Sequence, residues 1–79
     1  MKKELWNMLM DSAKADESKA HLTLNLLSEH PVGIGDHSTQ DFYNNAEEAL
    51  RNLVDAVERI EMLHNLSVGT SLARKMEDL

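Results

Sequence analysis

Three residues in a span of five, Pro31, Gly33 and Gly35, divide this chain into two stretches of helical periodicity. Pro31 disfavours helical geometry at His30 and has no N–H to continue a helix ladder. Gly33 and Gly35 open positive φ or close backbone approach. The stretch His30–Ser38 is longer than a tight helix–helix turn needs, and it contains the apolar Val32 and Ile34. The pattern predicts a structured loop, with those two side chains tucked under the end of a hairpin or against another subunit.

Before the loop, Trp6, Met10, Ala13, Ala20, Leu24 and Leu27 recur at alternating steps of four and three, with Glu17 as the polar interruption. That spacing predicts one helix over about 2–28 with a heptad-like seam. Leu5, Leu9, Leu22 and Leu26 are expected to widen the stripe at its ends. The middle, Ser12 to Ala20, is small and polar, which suits a close neighbour. Glu17 and His21 lie one turn apart, as an exposed or interfacial pair.

After the loop, Ser38 or Thr39 is a good N-cap, and Asp41 places negative charge at the positive end of the helix dipole. The apolar stripe Phe42, Ala46, Ala49/Leu50, Leu53, Ala56/Val57, Ile60 and Leu63 predicts a helix over about 39–65. Acid-first pairs Glu47→Arg51 and Asp55→Arg59 are expected on its opposite face. Gly69 reads as a C-cap, and Leu72, Met76 and Leu79 give a short C-terminal helix from Thr70 or Ser71 a small apolar edge.

The predicted fold is therefore all-α, one domain over 1–79: an antiparallel helical hairpin with a short C-terminal helix. Each long helix is roughly 40 Å in length. Two helices alone leave much of each stripe uncovered, so a helical-bundle homo-oligomer, a dimer or larger, is expected. The chain has no cysteine to brace a core this small.

Fourteen acidic residues against eight basic ones give a net charge of -6. That argues against binding a nucleic-acid backbone or an anionic membrane surface. No apolar run approaches the ~20 residues of a membrane span, and Asn7 and Asp11 interrupt the only signal-like run. The expected location is the cytosol.

Three constellations bear on chemistry. His30, Asp36 and His37, with Asp41, are metal-compatible residue types, but their spacing matches no zinc finger or zincin. Neither a metal nor another cofactor is expected. Gly33-Ile34-Gly35 leads into a helix N-terminus, where free N–H groups and the dipole favour an anion. No Walker lysine and no preceding strand accompany it. No Ser/His/Asp or Cys/His arrangement has a scaffold here, and an enzyme is not expected. A binding surface at the loop would use Gly33 and Gly35 to shape the backbone and His37, Ser38 and Thr39 as donors. Tyr43 would offer a face to stack on a base.

The string His30-Pro31-Val32-Gly33-Ile34-Gly35-Asp36-His37-Ser38, running into Asp41-Phe42 and Ala46-Glu47, resembles a group of small uncharacterised helical proteins. These are encoded by large T4-like tailed phages, including those of marine cyanobacteria. The resemblance extends to about Leu63. It implies a phage accessory protein of counter-defence type that sequesters or blocks a host component. By analogy with hairpin proteins that act as sponges, its ligand would be a cyclic-nucleotide immune signal held between subunits. The other expectation is an interaction module that inhibits a host protein through its acidic helical surface, around Glu58 and Glu61.

Overall fold

The computed structural model describes residues 1–29 and 38–66, Ser38 by its backbone alone. Two helices account for nearly all of these: α1, Lys3–Glu29, and α2, Ser38–Asn65. They pack against each other as a hairpin, and the described residues contain no strand. The expected ends hold to within a residue or so. α1 stops just before His30-Pro31, where the proline rule places the stop. α2 starts at Ser38 with Asp41 in its first turn and His64 in its last, both favourable to the dipole. The loop side chains Val32 and Ile34 and the expected C-terminal helix lie outside the described residues.

The seam of α1 is the one its spacing predicts. Met10, Ala13 and Ala20 are buried, while Trp6, Glu17, Leu24 and Leu27 are half-buried. On α2, Ala49, Ala56 and Leu63 are buried, and Phe42, Ala46, Leu53 and Ile60 are half-buried. Where the stripe left Ala49 or Leu50 open, the fold selects Ala49 at 4% exposure and leaves Leu50 at 54%. The reason is steric. Ala13 and Ala20 stand seven residues apart on α1, as Ala49 and Ala56 do on α2, and all four are buried. Small side chains at the crossing let two helix backbones approach closely, and a leucine at that position would hold them apart.

One hydrogen bond fixes the register. The indole Nε1–H of Trp6 donates to the Leu63 carbonyl oxygen at 2.7 Å. That carbonyl is one of the last four of α2, which have no partner within the helix. Leu66 N–H meets the Met62 carbonyl at 2.9 Å, so the first turn of α1 and residue 66 together cap the end of α2. His64 adds an edge contact, its ring centred 6.3 Å from that of Trp6. With Trp6 level with Leu63, the heptad spacing sets Ala13 level with Ala56, Ala20 with Ala49, and Leu27 with Phe42. Larger side chains therefore bracket the tight alanine section at both ends.

Four sequence expectations need correction. Leu5, Leu9, Leu22 and Leu26 do not widen the seam; all are exposed. The alanine section narrows the buried strip until only one row of each helix fits inside it. Glu47 and Arg51 form no ion pair. Arg59 does not sit on the far face; it is half-buried at the flank of the seam. Glu17 and His21 do not pair either: Glu17 is half-buried, whereas His21 is exposed.

The alanine crossing makes a direct prediction. Ala56→Leu overpacks it and costs about 1–3 kcal/mol, lowering the thermal midpoint by roughly 5–20 °C. Ala15→Leu, on the exposed side of α1, serves as control because both residues favour helix. Circular-dichroism melts read both, and an Ala56→Leu midpoint equal to that of the control contradicts the tight crossing.

Candidate functional site

Two surfaces flank the seam, and they differ in chemistry. Residues on one flank form an open groove of about 520 Å³. Its floor is Ala20 and Ala49, so the short seam residues create the depth. Asp16, Lys19 and Thr23 line it from α1, and Asn45, Glu48, Asn52 and Asp55 line it from α2. Each set runs at steps of three or four, which places it on one helix face.

Arg59 closes one end of this groove. Its Nη2 donates to Asp16 Oδ2 at 2.7 Å across the hairpin, and its Nε donates to Asp55 Oδ2 at 3.0 Å on the same helix. The hydrogen bond to Asp16 is the main reason its guanidinium pKa lies above the ordinary value; desolvation opposes this and the Asp55 charge adds to it. Arg59 is thus a fixed cation at every working pH. Beyond it the groove turns apolar in a smaller hollow of about 220 Å³, lined by Leu9, Ser12, Met62 and Leu63. The polar section holds carboxylates, amides, a hydroxyl and an ammonium, but neither imidazole nor thiol. Such a set recognises polar groups by hydrogen bonds and charge. Sequence reading missed this groove, although the runs beside each seam were its signal.

The other flank is α2's own. Tyr43, Leu50 and Val54 are exposed there, and Val57 is half-buried. A shallow hollow around Leu50 and Val54 is bordered by Arg51 and Glu58.

Of the residues expected to bind a ligand, Gly33, Gly35 and His37 lie outside the described residues. Ser38 is the first residue of α2. Thr39 is half-buried, and Tyr43 is about half exposed one turn later. The Tyr43 ring meets that of Phe42 edge-on at 6.0 Å, which fixes its base while the outer face stays accessible. Gln40 Nε2 donates to Asn44 Oδ1 at 3.0 Å along the same turn. Thr39 and Tyr43 are therefore brought together, at the loop end of the hairpin and apart from Arg59. The metal-compatible His30, Asp36 and His37 lie outside the described residues, among which no cluster of three or more His, Cys, Asp or Glu could hold a metal. No described helix is long and apolar enough to cross a membrane.

The chain matches no protein-family model, no curated protein and no solved structure.

The Arg59 bridge has a measurable signature. Exposed ion pairs weaken as salt screens them. Arg59→Gln should lower the midpoint of chemical denaturation at low ionic strength and remove most of its dependence on salt. An unchanged salt dependence means that the Asp16–Arg59–Asp55 bridge contributes nothing in solution.

Proposed function

We propose that the protein is a non-enzymatic binding protein that works as a helical-bundle homo-oligomer. In this reading it is a phage accessory protein of counter-defence type, acting in the host cytosol to sequester or block a host component. One observation carries the binding role: large apolar side chains stand exposed along both helices, among them Leu22 and Leu26 on α1 and Leu50 and Val54 on α2. Covering a half-exposed leucine contributes on the order of 1 kcal/mol. A surface ion pair contributes about 0–1 kcal/mol. A handful of such leucines is therefore a stronger drive to association than the surface charges are. The loop resemblance supports the phage assignment.

The favoured ligand is a cyclic-nucleotide signal held between subunits at the loop end of the hairpin. Tyr43 offers an accessible aromatic face there, and the positive end of the α2 dipole lies at the same end. The second reading is inhibition of a host protein through the acidic surface of α2. Its support is that Glu58 and Glu61 are both exposed on a helix with few cations.

A panel of cyclic and linear nucleotides in a thermal-shift experiment separates the two. The nucleotide reading expects one cyclic nucleotide at about a hundredfold over its Kd to raise the midpoint by roughly 5 °C or more, with the shift lost in Tyr43→Ala. No shift with any member removes that reading. The acidic-surface reading expects salt-sensitive capture of a basic host protein, abolished by Glu58→Lys with Glu61→Lys; capture that survives the reversal removes it.

A further inference from the structure

Counting one position on from each seam residue exposes an asymmetry between the helices. On α1 these positions are Asn7, Asp11, Lys14, Ser18, His21, Asn25 and Ser28, all polar and all exposed. On α2 they are Tyr43, Glu47, Leu50, Val54, Val57, Glu61 and His64. The α2 row keeps the heptad step, with an apolar centre and a carboxylate on each side of it. A second seam therefore runs along α2, and α1 offers nothing apolar on that flank to cover it.

From this we infer that the covering surface is the same row of a second copy, with the two α2 helices antiparallel across a two-fold axis near residue 52. The inference rests on the self-association reading above and adds its face and direction; because it covers Tyr43, it competes with the nucleotide reading. Turned end for end, the row brings its apolar centre onto itself. Turned end for end about that point, Leu50 lies level with the partner's Val54, Glu47 with the partner's Val57, and Tyr43 with the partner's Glu61. The phenol O–H of Tyr43 can then donate to that carboxylate, a hydrogen bond with one charged member. A two-fold interface is isologous, so each of these matches occurs twice. The parallel alternative stacks Glu47 on Glu47 and Glu61 on Glu61, like charge on like. A cover formed by the matching row of a second copy's α1 would set Leu50, Val54 and Val57 against Lys14, Ser18 and His21, and no apolar side chain of that row would meet them. The need for such a cover comes from the hairpin itself: among the described residues, four of the six buried hydrophobic ones are alanines, so the seam is thin.

The chain has no cysteine, so introduced thiols report neighbours without background. Sedimentation of the unmodified full chain comes first. Oxidative cross-linking of cysteine variants then reads the face, since a disulfide needs Cα atoms about 4.4–6.8 Å apart. Leu50→Cys chains mixed with Val54→Cys chains, and Tyr43→Cys chains mixed with Glu61→Cys chains, should each give a cross-linked heterodimer. Tyr43→Cys alone should give none, because its two copies would stand roughly 27 Å apart along the axis. Leu22→Cys, on the outer side of α1, should also give none. A dimer in which Tyr43→Cys joins to itself overturns the antiparallel direction. A dimer without the two mixed products overturns the face and leaves self-association standing. A chain that sediments as a monomer overturns both.

Discussion

The fold depends on how closely two helices can approach at Ala13, Ala20, Ala49 and Ala56. A methyl group is the largest side chain that such a crossing admits, so the buried strip is one row wide on each helix. Tight approach makes each buried atom well packed, yet little apolar area is removed from water. The Trp6 indole at one end and the Leu27–Phe42 level at the other prevent the two rows from sliding. Across the flank, the Arg59–Asp16 bond ties the same register with charge. Packing, a hydrogen bond and an ion pair therefore specify one alignment, which is what gives a small core a single structure.

A narrow seam has consequences for the surface. Most large apolar residues outside the row are left facing water, which is why leucines that a broader helix pair would bury are exposed here. It also makes a groove, because short side chains at the floor leave room between the taller polar residues beside them. One hairpin thus carries two different flanks, polar and lined by amides and charges on one side, apolar on α2 alone on the other.

Much of this was legible in the sequence. The alternation of fours and threes located both seams, and Pro31 located the end of α1. What periodicity could not decide was the width of the strip. Ala49 and Leu50 satisfy the same spacing, and hydrophobicity alone favours leucine; only the opposing Ala20 makes alanine the better fit. The same limit misplaced Leu5, Leu9, Leu22 and Leu26. Arg59 was read as half of a local pair, because its stronger partner, Asp16, is distant in sequence and comes near only once the helices align. Of the candidate ligand residues, Thr39 and Tyr43 stand one turn apart on α2, and Gly33, Gly35 and His37 lie outside the described residues.

The hairpin itself is tested most directly by a distance within one chain. Asn7 and Met62 are exposed and, in the register set by Trp6 and Leu63, stand level on the two helices. Spin labels at these positions, diluted with unlabelled chain so that only intramolecular pairs contribute, should give a single distance below about 25 Å, given axes about 8–10 Å apart and two label arms. A distance near 80 Å, the span of one continuous rod at about 1.5 Å per residue, contradicts the fold and everything inferred from it.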